Sequence, residues 1–174
     1  MNFFFIDASA LVKRYHNEPG SDVVNHLLDE LLASAPERVA VSPLILTETI
    51  SVLNRVHNEG RISARLFEQA TARILLEARD MDVQVVDNRA ILQSIPLIIR
   101  HNINSADAIH LHQLLNLHHL LHPLGHTLVL VAADRRLLRA AEDEGLLTLD
   151  PESATLADAA DLLQEPESDE AGAD

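Results

Sequence analysis

The sequence predicts an α/β domain, a parallel sheet of four to five strands flanked by helices. Short apolar runs of β-forming residues alternate with longer stretches of helical periodicity. Strands joined by helical crossovers build a parallel sheet covered on both faces. The chain has 174 residues, 47% of them hydrophobic, enough for one domain with a sizeable core.

Residues 2–6, Asn-Phe-Phe-Phe-Ile, read as a short buried strand. Over residues 21–34, Val24, Leu27, Leu28, Leu31 and Leu32 recur at helical spacing, and Gly20 and Ser21 mark the start. Residues 38–41 form a second strand. Pro43 suits the first turn of the next helix, whose N–H groups lack partners anyway. That helix runs to His57, and Asn58-Glu-Gly60 breaks it. Ser63 is the N-cap of a helix to Asp80. Residues 83–86 make a third strand, followed by a helix over 88–101 kinked at Pro96. Ser105 caps a helix over 106–119. Residues 127–131 are a fourth strand, 135–144 a helix closed by Gly145, and 146–149 a short fifth strand. A weak helix spans 155–163. The expected organisation is a folded domain over 1–150 and an acidic helix and tail over 151–174, partly disordered. Residues 165–174 are acidic and lack apolar periodicity.

The net charge of −14 is unevenly placed. Residues 150–174 hold nine acids and no Lys or Arg, whereas residues 1–149 carry 18 acids against 13 basic residues. The body is mildly acidic, which disfavours tight nonspecific binding of nucleic acid. Cysteine is absent, which removes disulfides and thiolate chemistry and fits a reducing compartment. The N-terminus shows no basic region ahead of its apolar run, and no run approaches the roughly 20 residues that span a bilayer. The expectation is a cytoplasmic protein. No P-loop, dinucleotide fingerprint or Ser-His-Asp order competes for the chemistry.

Four acids stand in apolar surroundings. Asp7 ends the first strand, and Asp134 follows the run Leu128-Val-Leu-Val-Ala-Ala. Glu48 lies in Pro43-Leu-Ile-Leu-Thr-Glu-Thr-Ile, and Asp107 in Ser105-Ala-Asp-Ala-Ile-His-Leu. Ligands of parallel sheets bind beyond the carboxyl ends of the strands, and Asp7 and Asp134 both fall there. A buried carboxylate is costly without a partner, and hard oxygen donors suit Mg²⁺ or Mn²⁺. Such ions polarise phosphodiesters and activate water. If the four carboxylates converge, they repel one another until a cation binds, so neutralising Asp7 should stabilise the metal-free protein or at worst leave it unchanged. Each acid has an ordinary alternative: Asp7 as a loop cap, Glu48 as a surface acid, Asp107 as a charge at a helix N-terminus, Asp134 as an N-cap.

The segments Phe4-Phe-Ile-Asp-Ala-Ser-Ala-Leu-Val-Lys-Arg-Tyr15, Val41–Leu53, Ser105–Leu111 and Val131–Ala141 resemble, in order, the four acidic motifs of PIN domains. The likeness is greatest to the small prokaryotic VapC-type toxins, and it covers residues 2–150. It implies a single PIN-like domain with metal-dependent endoribonuclease activity on single-stranded RNA. By it, Asp7, Glu48, Asp107 and Asp134 hold Mg²⁺ or Mn²⁺, and Ser9 is the small hydroxyl that assists them. It also implies a type II toxin–antitoxin pair, a cognate antitoxin and a homodimer. Two departures stand out. Arg136 occupies a position where some relatives carry a further acid, which weakens a second metal site. Residues 116–126, rich in histidine, are extra length without an assigned role. The alternatives are a noncatalytic PIN-like binding module and a phosphomonoesterase. His118, His119 and His122 suggest zinc, but Pro123 is expected to break their helix. Lys13, Arg14, Arg135, Arg136 and Arg139 flank the motifs and are candidate phosphate contacts.

Overall fold

The computed structural model describes residues 1–164, so the expectation of disorder over 165–174 lies outside the described residues. Five strands pair in parallel: β1 (Asn2–Ile6), β2 (Val39–Val41), β3 (Asp82–Val83), β4 (Thr127–Val131) and β5 (Leu147–Leu149), in the order β3-β2-β1-β4-β5. Phe4, Phe5 and Ile6 are consecutive and all buried. Successive strand residues point to opposite faces, so helices cover both. The chain builds outward from β1 on one side through β2 and β3, then returns to the other through β4 and β5. The switch therefore lies between β1 and β4, whose register pairs Ile6 with Val131. The ladder runs one step further, with Asp7 N donating to Val131 O at 3.0 Å.

Nine helices are found among the described residues. A short α1 (Ala8–Leu11) follows β1 directly and continues into a 3-10 turn, Val12–Arg14. It was not visible as periodicity because one turn is too short to show any. Next come α2 (Ser21–Ser34), α3 (Pro43–Asn58) and α4 (Ala64–Glu77). Ser42 and Ser63 cap the last two by accepting from Ile45 N and Leu66 N. The stretch expected as one kinked helix is two, α5 (Asn88–Gln93) and α6 (Ile95–His101), with Pro96 in the first turn of α6. Helix α7 (Ser105–Leu121) is capped by Asn104 rather than Ser105, because Asn104 Oδ1 accepts from Asp107 N at 2.9 Å. Helices α8 (Arg135–Asp143) and α9 (Leu156–Leu163) complete the order. Strand β3 has two residues instead of four; Gln84 N still reaches Val41 O, but the carbonyls of Gln84 and Val85 turn to the Gln113 side-chain amide.

The main core joins Phe4, Phe5, Leu27, Leu28, Leu111, Leu114 and β4. Ala159 of α9 belongs to it, and Asn2 Nδ2 donates to Leu162 O at 2.9 Å. Among the described residues no helix is long and apolar enough to cross a membrane.

Candidate active site

Asp7, Ser9, Glu48, Asp107 and Asp134 all line one cavity of about 610 Å³ at the carboxyl ends of β1 and β4. Each arrives by a different local rule. Asp7 is the first residue past β1 and the N-cap of α1. Asp134 follows β4 by a three-residue step and caps α8, its Oδ1 accepting from Arg136 N at 2.8 Å and Leu137 N at 3.3 Å. Asp107 sits in the first turn of α7, where Asn104 Nδ2 donates to its Oδ2 at 2.8 Å. Glu48 lies in the second turn of α3. The capping alternatives for Asp7 and Asp134 are therefore realised, and both side chains still border the cavity.

Asp7 is 5% exposed. Its Oδ2 accepts from Ser9 N at 2.9 Å and from Ser9 Oγ at 2.5 Å. The same Ser9 Oγ accepts from Ala133 N at 2.9 Å and Asp134 N at 3.3 Å. One hydroxyl thus pins the end of β1 to the loop that carries Asp134. Asp7 Oδ1 meets His110 Nδ1 at 3.1 Å. His110 Nε2 lies 3.4 Å from Glu48 Oε2, but off the hydrogen-bond direction, so that nitrogen is buried without a hydrogen-bond partner. Sequence reasoning missed His110. Its signal was its spacing, one turn after Asp107 on α7.

The acids differ in charge preference. Burial raises the pKa of Asp7, but hydrogen bonds to His110 and Ser9 and the His110 charge outweigh it, leaving Asp7 below its ordinary value. Glu48 is raised, by burial first, with Asp7 and Asp107 adding repulsion against the opposing pull of His110. Asp107 is raised by burial, then by Asp134 and Asp7. Among the described residues no three His, Asp or Glu side chains already form a cage for an ion. The donor chemistry nonetheless fits a hard cation. All four acids offer oxygen, and the two with raised pKa values are those whose crowding a cation would relieve.

The expected phosphate contacts fare unevenly. Lys13 borders the cavity but is buried and paired with Glu152 at 2.8 Å and Glu18 at 3.6 Å. Arg14 is held by Glu77 and Asp29 instead. Arg135, Arg136 and Arg139 are exposed on α8 and do not line the cavity. The exposed Arg55 of α3 does.

The PIN domain family model matches residues 4–143 of the chain. No curated protein matches it. Three solved structures share its architecture. PAE2754 from Pyrobaculum aerophilum superposes with a TM-score of 0.60 at 18% identity, over 92% of this chain and 99% of that one. The Mycobacterium tuberculosis toxin VapC20, described as cleaving the sarcin-ricin loop, gives 0.54 at 22% identity, over 79% and 94%. VapBC-1 from nontypeable Haemophilus influenzae gives 0.53 at 14% identity, over 87% and 98%.

Proposed function

The chain belongs to the PIN-domain family, and on that premise we propose that it is a metal-dependent endoribonuclease acting on single-stranded RNA, the toxin of a type II toxin–antitoxin pair. One observation carries the reading: four acids from four separate segments line a single cavity at the switch point of a parallel sheet. Asp7, Glu48, Asp107 and Asp134 would hold Mg²⁺ or Mn²⁺. When bound, such an ion would neutralise the scissile phosphodiester and make water nucleophilic at neutral pH.

The chain's own residues prepare the site. Ser9 fixes the Asp7 carboxylate and, through the amides of Ala133 and Asp134, the distance between the first and last acids. His110 stands between Asp7 and Glu48, bonded to Asp7 Oδ1 and 3.4 Å from Glu48 Oε2, and helps hold the Asp7 carboxylate at the cavity. It is a positioning residue. Arg55 offers an exposed cation on the cavity wall, unpaired among the described residues, where it can meet an RNA phosphate. A cognate antitoxin, a homodimer and a cytoplasmic location complete the proposal. They rest on the resemblance to VapC-type toxins, and the VapC20 and VapBC-1 folds support that resemblance.

The test is cleavage of single-stranded RNA by the purified chain with EDTA, Mg²⁺ or Mn²⁺. Metal-dependent cleavage that disappears in Asp107→Asn, with the variant still folded by circular dichroism, is the expected result. Metal-independent cleavage, or full activity in Asp107→Asn, would remove the metal-site assignment. A folded wild type that binds RNA but never cuts it would leave the noncatalytic binding module.

A further inference from the structure

His118 and His122 stand one turn apart at the end of α7. Pro123 was expected to break their helix, and α7 does end at Leu121, two residues before it. The turn from His118 to His122 closes all the same, because a proline removes only its own N–H and is tolerated in the first turn of a helical segment. The His122 N–H still donates to His118 O, and Pro123 falls in the first turn of the following 3-10 segment, His122–Leu124. The two rings therefore share one helical face, with centroids 5.2 Å apart and planes inclined at 44°. His122 is exposed and His118 half-buried. His118 Nδ1 is buried and has no hydrogen-bond partner among the described residues, which leaves Nε2 to meet a partner from outside.

Imidazoles at i and i+4 on a helix form a recurring chelate, because one turn brings a nitrogen from each ring to the same ion. We infer that His118 and His122 form a second cation site on this chain, specific for a borderline transition ion such as Zn²⁺, Ni²⁺ or Cu²⁺. Imidazole nitrogen favours these ions, whereas carboxylate oxygen favours Mg²⁺ and Mn²⁺, so the two sites differ in chemistry as well as place. Asp107 and His118 are eleven residues apart on α7, about 16 Å along its axis. The neighbouring ring of His119 has its centroid 6.0 Å from that of His118, and among the described residues no third His, Asp or Glu completes a cage. Two protein ligands leave the remaining coordination positions to water. The bound ion would join the last turn of α7 to the segment that leads into β4.

Calorimetric titration of Zn²⁺ into the metal-stripped, full-length chain without a polyhistidine tag tests this, with millimolar Mg²⁺ present to hold the acid site. One saturable Zn²⁺ site per chain is expected. Losing a group that merely orients a metal ligand costs roughly 10–100-fold in affinity, so His122→Ala, which removes a ligand outright, should weaken binding by about tenfold or more. His118→Gln should do the same. His122 is exposed, so its variant decides the matter if His118→Gln folds poorly. Asp7→Asn should bind Zn²⁺ as wild type does. Absence of saturable binding, undiminished binding in His122→Ala, or loss of binding in Asp7→Asn would each overturn the site.

Discussion

His110 presents one ring nitrogen to Asp7 and the other to Glu48, and the two carboxylates respond in opposite ways. Asp7 is the better held, with its pKa below the ordinary value and two hydrogen bonds from Ser9. Glu48 meets the ring only at 3.4 Å and carries a raised pKa. Counting acids in the sequence led to the expectation that neutralising Asp7 would relieve repulsion and stabilise the metal-free protein. The structure sets that repulsion against the hydrogen bonds that Ser9 and His110 make to Asp7, which leave it below its ordinary pKa, while Glu48 and Asp107 are raised by burial first and by neighbouring acids after it. Asp7→Asn should instead destabilise the EDTA-treated protein by about 1–2 kcal/mol, the usual range for losing a cap or a buried hydrogen bond. Glu48→Gln should change it by no more than about 0.5 kcal/mol, with stabilisation the expected sign. Urea denaturation of both variants in EDTA checks this. Equal losses in the two would mean that Glu48 stores no repulsion.

Several elements are joined by charges that periodicity cannot reveal. Arg14, in the turn after α1, is buried and donates to Asp29 of α2 and Glu77 of α4, and Tyr15 Oη donates to the same Glu77 at 2.6 Å. Burial raises the Glu77 pKa, but Arg14, Tyr15 and Arg73 pull it down further, to a net value below the ordinary one. A carboxylate with a depressed folded pKa contributes stability that is present above its unfolded value and lost as pH falls through the folded one. Wild type should therefore lose stability on acidification below about pH 4.5, and Glu77→Gln should show a shallower loss over that range. At neutral pH the variant should be about 3 kcal/mol less stable, because Arg14 keeps its charge with one partner fewer. Thermal melts at several pH values read both effects, and an unchanged acid limb in the variant would assign the titration elsewhere. Gly20 is a second hidden joint. Its φ is +83°, and a Cβ there would lie 2.5 Å from Pro151 O, so Gly20→Ala should cost about 2 kcal/mol or more by chemical denaturation. A neutral result would show that the 150–154 segment yields easily. These particulars define what was legible. The strands, the long helices and the acids at the rim follow from local composition and spacing, since each announces itself within a few residues. Helix α1 and the Asn104 cap do not, because α1 is a single turn and Asn104 and Ser105 are both good capping residues side by side. His110 between two acids and the pairing of buried Lys13 with Glu152 do not, because each depends on a partner distant in sequence.

At the scale of the whole molecule the charge distribution opposes the proposed substrate. Residues 1–149 carry 18 acids against 13 basic residues, and the chain as a whole has a net charge of −14. Of the basic residues that flank the acid motifs, Lys13 and Arg14 are occupied by ion pairs, which leaves Arg55 as a cavity-lining cation for a phosphate. On the proposed function, RNA would be held at the site chiefly by the metal and by local contacts, against a repulsive long-range field. Residues 165–174 add five acids and no basic residue to that field. Their contribution is separable, because the field acts over a distance that salt sets: the screening length is about 10 Å at 0.1 M ionic strength and about 3 Å at 1 M. Deleting residues 165–174 should raise kcat/KM for single-stranded RNA roughly three- to tenfold at low ionic strength. The gain should shrink toward nothing as salt rises, with kcat at saturating RNA little changed. A gain of the same size at every salt concentration would indicate that the segment blocks the cavity by contact. No gain at low salt would show that its charge is not felt by the incoming strand, and that repulsion by the folded body alone sets the association rate.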